Sequence, residues 1–217
     1  VLMDAEEDLG GCHAWEGLLR EKCTMVPRTH DDLACIVYSS GTGGSPKGCM
    51  LSHRNYLIQA DSLADMFPIK ETDRVFSVLP SNHAIDFMCG FILPLLFGAS
   101  IVHQRTLRPK FLVSTMKRYQ ITHMAVVPLM LEMFESRIKD ELNALVGWKK
   151  AAAQALIEVN HALTLKEPQP AISRRLLKSV HEAFGGKLKV LFCGGAFLPP
   201  DRAEFFYRLG LPVAIGY

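Results

Sequence analysis

Tyr38-Ser-Ser-Gly-Thr-Gly-Gly-Ser-Pro-Lys-Gly48 is a run of glycine, small hydroxyls, one proline and one lysine. The apolar run Leu33 to Val37 before it reads as a strand. After it, Ser52 is placed to N-cap a helix that opens His-Arg-Asn-Tyr-Leu-Ile. Gly41, Gly43, Gly44 and Gly48 allow a tight turn that brings backbone N–H groups close to an anion. Ser39, Ser40, Thr42 and Ser45 can donate hydrogen bonds to phosphate oxygens. Lys47 adds a mobile positive charge, and Pro46 stiffens the loop before it. Together these residues predict a polyphosphate cradle between a strand and a helix. The loop is not a Walker A, because Pro46 precedes the lysine and Gly48 follows it. A Gly/Ser-rich surface linker is the plain alternative.

Tyr38 to Asn55, YSSGTGGSPKGCMLSHRN, resembles the phosphate-loop signature of the adenylate-forming (AMP-binding) superfamily. That superfamily holds acyl-CoA synthetases, luciferases and the adenylation domains of peptide synthetases. Its usual pattern is hydroxyl-Ser-Gly-Thr-hydroxyl-Gly-x-Pro-Lys-Gly. Gly43 stands where a second Thr or Ser is usual, so one phosphate-facing hydroxyl is missing. The resemblance implies an α/β fold, a mainly parallel sheet covered by helices, forming part of a large N-terminal domain. It implies that Ser39, Ser40, Gly41, Thr42, Gly43, Gly44, Ser45, Lys47 and Gly48 hold ATP, with Lys47 and Thr42 acting in catalysis.

The chain has 217 residues, 49% of them hydrophobic, enough for a sizeable core. Its net charge of +2 implies no nucleic-acid partner. The N-terminus, Val-Leu-Met-Asp-Ala-Glu-Glu-Asp, is acidic and carries no signal-peptide pattern; without an initiating Met it reads as the interior of a longer protein. Cys12, Cys23, Cys35, Cys49, Cys89 and Cys193 include no C-x-x-C pair, which fits reduced, buried thiols in a cytosolic protein. The eight histidines show no zinc-ligand spacing. Phe87 to Val102 is nearly all apolar but short for a membrane span, and reads as a buried helix turning into a strand.

Residues 1–31 form a lead-in segment with no visible chemistry. Beyond the loop, helical spacing from Tyr56 to Phe67 stops at Pro68. Arg74–Leu79, Ala99–His103, Thr122–Val127, Lys187–Phe192 and Val213–Ile215 read as strands. Helices are expected over Ile85–Phe97 (broken near Pro94), Pro109–Tyr119 and Pro200–Leu209. This alternation argues for a parallel sheet covered on both faces. Residues 129–185 depart from it as a helical excursion. There Leu131, Phe134, Ile138, Leu142, Leu145, Trp148, Ala152, Leu156, Val159 and Leu163 recur every three or four residues. They form one amphipathic helix, or two joined at Gly147, followed by a helix from Ala171 to Phe184 closed by Gly185 and Gly186. The excursion reads as an ordinary surface pair packing on the domain, with a membrane-facing or partner-facing ridge as the functional alternative. Its presence resembles the long-chain fatty acyl-CoA synthetases.

Four further spots stand out. Pro80-Ser-Asn-His83 lies at a strand's carboxyl end, where open α/β sheets bind ligands. A loop histidine is the bland reading of His83, and helix capping that of Asn82 and Asp86. Gly194-Gly195-Ala196 is either a tight strand-to-helix turn or a place where a flat ring approaches the backbone. Gly216-Tyr217 offers an aromatic face for adenine, and His123 precedes a core strand. The resemblance implies that His83 and Gly194 line the substrate pocket, and that Gly194, Gly195, Ala196, Gly216 and Tyr217 flank the nucleotide. It further implies ATP, Mg²⁺ and coenzyme A, with the magnesium ligand, the ribose carboxylate and the C-terminal lysine-bearing domain outside these residues. The activity implied is activation of a long-chain fatty acid to an acyl-adenylate and then to acyl-CoA by the whole protein, the fragment being inactive alone. Adenylation of an aryl or amino acid for a carrier protein, and a non-catalytic nucleotide-binding protein, are the alternatives. The expected setting is cytoplasmic, with peripheral membrane contact as the alternative role of the excursion.

Overall fold

The alternation of apolar strands with proline-opened helices builds a five-stranded sheet in the order β4-β3-β5-β6-β7, every neighbouring pair parallel. The computed structural model describes residues 24–39 and 45–216, with Ser39 described by its backbone only. The strands are β3 (Arg74–Ser77), β4 (Ser100–His103), β5 (His123–Val126), β6 (Val190–Cys193) and β7 (Val213–Ile215). The middle strands are buried on both faces, which is why His-Met-Ala-Val and Val-Leu-Phe-Cys show no polar alternation. The helices are α1 (His53–Met66), a π-helix (Asp86–Ile92), α2 (Leu93–Leu96), α3 (Pro109–Tyr119), α4 (Pro128–Asn143), α5 (Trp148–Thr164), α6 (Pro170–Leu176), α7 (Lys178–Ala183) and α8 (Pro200–Arg208). Proline stands in the first turn of α2, α3, α4, α6 and α8, where its missing N–H costs nothing and its fixed φ starts the helix. The expected break near Pro94 is therefore a change of winding at Leu93, from π to α. Phe87–Val102 is helix turning into strand, and no described helix is long and apolar enough to cross a membrane.

The decisive loop is not a strand-to-helix turn. Leu33–Ser39 (β1) pairs antiparallel with Lys47–Ser52 (β2), so the loop is the tip of a hairpin separate from the main sheet. Lys47 lies opposite Ser39, and Gly48 opposite Tyr38. Ser52 does cap α1: its Oγ accepts from the Asn55 N–H at 3.4 Å, and Asn55 Oδ1 accepts from the Ser52 N–H at 2.8 Å. The missed element is β2, whose Cys49, Met50 and Leu51 pair along β1 before the cap is reached.

The excursion is two helices joined at Gly147, whose φ of 57° is a conformation few other residues adopt. The expected closing helix is also two, α6 and α7, meeting at Leu177; Gly185 and Gly186 end it at φ 85° and 76°. Along α4 the apolar stripe turns inward, burying Leu131 and Ile138. Along α5 it turns outward: Trp148, Leu156, Val159 and Leu163 are exposed, while Asn160 and Thr164 are buried. The stripe read as continuous therefore serves two opposite faces. The cause is polar. Asn160 Nδ2 donates to the Arg208 carbonyl at 2.9 Å, Tyr207 Oη donates to the Thr164 carbonyl at 2.6 Å, and Glu158 pairs with Arg208. These bonds fix the rotation of α5 against the end of α8. Arg202 holds α4 through Glu135 at 2.7 Å.

At the amino end of the sheet Asp73 is buried. Its Oδ1 accepts from Lys189 Nζ at 2.6 Å and its Oδ2 from the Lys70 N–H at 2.9 Å. Thr122 Oγ1 accepts from the Arg74 N–H at 2.9 Å and lies 2.8 Å from His123 Nδ1. His123 does not precede the strand but sits within it, buried and stacked on Phe192. Burial pushes its imidazole down to about 4, against the pull of Asp73. Burial alone would raise the Asp73 carboxyl, but the bonds from Lys189 and Lys70 hold it below the usual range.

Candidate functional site

The carboxyl ends of the parallel strands carry the candidate site. Beyond β3 the chain turns at Pro80, where the His83 N–H donates to the Pro80 carbonyl at 2.9 Å. The Phe87 N–H then donates to the His83 carbonyl at 2.9 Å, which places an exposed His83 at the mouth of the π-helix. Beyond β6 come a buried Gly194 and the exposed Gly195 and Ala196, with Gly195 at φ 85°. The Gly216 N–H donates to the Cys193 carbonyl at 2.8 Å and holds the end of β7 beside this turn. A Cβ at Gly194 would stand 2.9 Å from Ile85 Cδ1 and 3.0 Å from the Gly216 carbonyl oxygen. The turn bearing His83, the Gly194–Ala196 turn and Gly216 are thus brought together, and a side chain at Gly194 would force them apart.

The hairpin borders the same end. A cleft of about 350 Å³ opens between Cys35–Tyr38 of β1 and Ser81, Asn82 and Phe87. Asn82 therefore lines a cleft, and the π-helix starts after Ile85 with no side-chain cap. Cys35 Sγ lies 3.0 Å from Tyr56 Oη, and the Tyr56 ring meets Phe87 edge-on at 5.7 Å. Burial and then Cys35 push the Tyr56 hydroxyl up to about 12. The hairpin is thereby tied through α1 to the π-helix.

Of the predicted phosphate-binding residues, Ser40, Gly41, Thr42, Gly43 and Gly44 lie outside the described residues, as does Tyr217. Ser39 ends β1; Ser45 and Lys47 are exposed at the start of the returning strand. Gly48 has a packing role: a Cβ there would stand 2.9 Å from Ile36 Cγ2 and 3.4 Å from the Tyr38 ring. Cys89 and Cys193 are buried free thiols, pushed up by burial to about 12 and about 11. The expectation of buried thiols does not extend to Cys49, which is exposed on the hairpin, or to the half-buried Cys35. Cys12 and Cys23 lie outside the described residues.

The sequence reading underrated Asp86. It is fully buried at the start of the π-helix, its Oδ2 accepting from Ser77 Oγ at 2.8 Å, with no partner for Oδ1. Burial raises its carboxyl above the usual range, against the Ser77 bond and the nearby His103. Ser77 Oγ also lies 3.1 Å from His103 Nδ1 at the end of β4. The available signal is Gly90, one helical turn on: a Cβ there would stand 2.7 Å from Asp86 Oδ1. Among the described residues no group of three or more His, Cys, Asp or Glu side chains converges as a metal site.

A chloroplastic long-chain-fatty-acid–[acyl-carrier-protein] ligase of Arabidopsis thaliana is 30% identical over 86% of this chain and 30% of its own length. Probable acyl-activating enzyme 16 of the same plant is 39% identical over 62% of this chain and 18% of its own. Long-chain-fatty-acid–CoA ligase 4 of Saccharomyces cerevisiae is 28% identical over 86% of this chain and 28% of its own. The chain thus spans less than a third of the length of these curated relatives. Among solved structures, ATP-bound MatB from Rhodopseudomonas palustris superposes with a TM-score of 0.58 at 22% identity, covering 90% of this chain and 31% of that one. A family model described as AMP-binding enzyme matches residues 2–217, the hairpin, the His83 turn and the Gly194–Ala196 turn included, and so the chain belongs to the AMP-binding enzyme family.

Proposed function

We propose that the protein containing this chain is an ATP-dependent acid–thiol ligase that activates a long-chain fatty acid to an acyl-adenylate and transfers the acyl group to coenzyme A. The observation that carries the reading is the meeting of three ligand-facing turns at the carboxyl end of the sheet, beside a hairpin with Lys47 at its returning strand. In the first step a carboxylate oxygen attacks the α-phosphate of ATP and pyrophosphate leaves with the bonding electron pair. Lys47 and the N–H and hydroxyl groups of the hairpin tip would neutralise the charge growing on that leaving group. The exposed Gly195 and Ala196 would take the adenine ring, and the exposed His83 would hydrogen-bond the substrate carboxylate. Mg²⁺ enters this proposal through phosphate oxygens. The described residues offer it no converging set of side chains, and no step here depends on it. The coenzyme A acceptor is supported by the yeast ligase, and transfer to a carrier protein, the second reading, by the plant carrier-protein ligase. We place the protein in the cytoplasm, with residues 129–185 as a helical excursion within one partial adenylation domain that is inactive without the rest of the protein.

The test is pyrophosphate exchange by the full-length protein, with fatty, aryl and amino acids offered in turn. Exchange driven by long-chain fatty acids, followed by acyl-CoA formation, is expected. Exchange confined to aryl or amino acids overturns the substrate, and none with any acid overturns the enzyme reading.

A further inference from the structure

Asp86 is a buried titratable group to which the proposed reaction gives no task. It is wholly buried, its Oδ1 has no partner, and it opens a π-helix, a winding frequent at functional sites. A buried carboxyl with an unpartnered oxygen costs stability, so packing alone does not account for it. The side chain reaches back across the segment it ends. Its Oδ2 accepts from Ser77 Oγ at 2.8 Å, and the Leu79 N–H also faces the carboxyl. Ser77 is the last residue of β3 and is held in turn from β4, since its Oγ lies 3.1 Å from His103 Nδ1. Between β3 and Asp86 stand Ser81 and Asn82, which line the cleft, the exposed His83, and Ile85, which packs beside Gly194. Gly90 seats the carboxyl from the other side. A Cβ there would stand 2.7 Å from Oδ1 and 2.9 Å from Cγ, so the seat depends on residue 90 having no side chain.

We infer that Asp86 is a positioning residue: it clasps the segment 78–85 to the end of β3 and so fixes where His83 and Asn82 face the substrate. What that segment does with substrate rests on the ligase reading above; the clasp itself does not. Asp86 touches no reacting atom in this scheme and acts only through the turn. Displacing the turn therefore weakens recognition of the acid, while the hairpin that would hold the phosphates is a separate element.

The experiment uses the full-length protein and pairs two readouts. One is pyrophosphate exchange, with KM for the fatty acid and for ATP measured separately. The other is hydrogen–deuterium exchange over residues 78–87. Asp86→Ala should raise the acid KM about tenfold, the scale of one weakened hydrogen bond to a charged group, and leave the ATP KM unchanged. It should also speed exchange at the His83 and Phe87 N–H groups, whose bonds to the Pro80 and His83 carbonyls hold the turn. Gly90→Ala should do both with Asp86 still present, by pushing the carboxyl off Ser77. Asp86→Asn should behave as wild type, because its side-chain carbonyl still accepts from Ser77. A merely structural role would lower the yield of active enzyme and leave both KM values where they were. Acid KM unchanged in Asp86→Ala and Gly90→Ala overturns the inference, as does an equal rise in both KM values or an Asp86→Asn protein as impaired as Asp86→Ala. Should Asp86→Ala fail to fold, Gly90→Ala and Asp86→Asn decide by the same criteria. Should wild-type protein exchange pyrophosphate with no acid, the ligase reading falls, and hydrogen exchange alone judges the clasp: unchanged rates in Gly90→Ala overturn it.

Discussion

The two ends of the parallel sheet treat buried polarity in opposite ways. At the amino end both Asp73 oxygens have partners, and Thr122 and His123 close the bottoms of β3 and β5. At the carboxyl end Asp86 Oδ1 has no partner, His83, Gly195 and Ala196 are exposed, and a cleft separates β1 from Asn82. One end stabilises the fold; the other keeps hydrogen-bonding capacity and space for something else. A parallel sheet favours this division, because the turns leaving its strands all gather at the carboxyl edge.

The sharpest way to test that division is to remove one charge from each end. Lys47→Ala in the full-length protein should lower the adenylation rate about ten- to a thousand-fold, the scale of losing one preorganised charge. Its melting temperature should barely move, because the side chain is exposed on β2. Wild-type pyrophosphate exchange in that variant would remove Lys47 from the site.

Asp73→Ala should do the reverse and cost about 1–3 kcal/mol of stability, by leaving the Lys70 N–H and Lys189 short of an acceptor. The partial exposure of Lys189 keeps the cost at the lower end of what a broken buried pair gives. Urea denaturation measures it, and a loss of substrate affinity at unchanged stability would contradict the assignment of this end to folding.

Acid should act mainly through the amino end. The His123 pKa is depressed from 6.5 to about 4, so the folded state resists protonation, and stability present above 6.5 is lost as the pH falls toward 4. His181, lowered by burial against the Leu209 carbonyl, adds loss of the same sign. The depressed Asp73 carboxyl adds further loss below 3.8. Asp86, raised by burial, works in the opposite sense, being penalised once it deprotonates. Denaturation midpoints followed between about pH 7.5 and pH 5 should fall, and His123→Gln should flatten the slope. An unchanged slope in that variant would place the sensitivity elsewhere.

The smallest effect is expected at the open end. Gly194→Ala must push Ile85 or the Gly216 carbonyl by a few tenths of an ångström, costing on the order of 1 kcal/mol. It should also weaken nucleotide binding by spreading the three turns. Calorimetry with ATP on the full-length protein would detect this, and tighter binding would mean that the turns need not meet.

Much of this was legible in the residues. The alternation of apolar strand runs with helices from Arg74 onward announced a parallel sheet covered by helices. The Tyr38–Gly48 run announced the family, and Ser52 the cap of α1. Those signals are local: an apolar run, a cap or a glycine loop acts within a few residues. The pairing of β2 with β1 was not legible, because a strand is defined by a partner rather than by its own residues. Nor was the outward face of α5. Periodicity from Leu131 to Leu163 shows that a helix has an apolar side, and in α4 that side is the buried one. Which side of α5 is buried was decided by Arg208 and Tyr207, more than forty positions away from Asn160 and Thr164, through bonds that exist only once α8 is in place. The same holds for Asp86. Its sequence neighbours suggest a cap, but the fold seals it between Ser77 and Gly90, because burial is a property of everything packed around a residue.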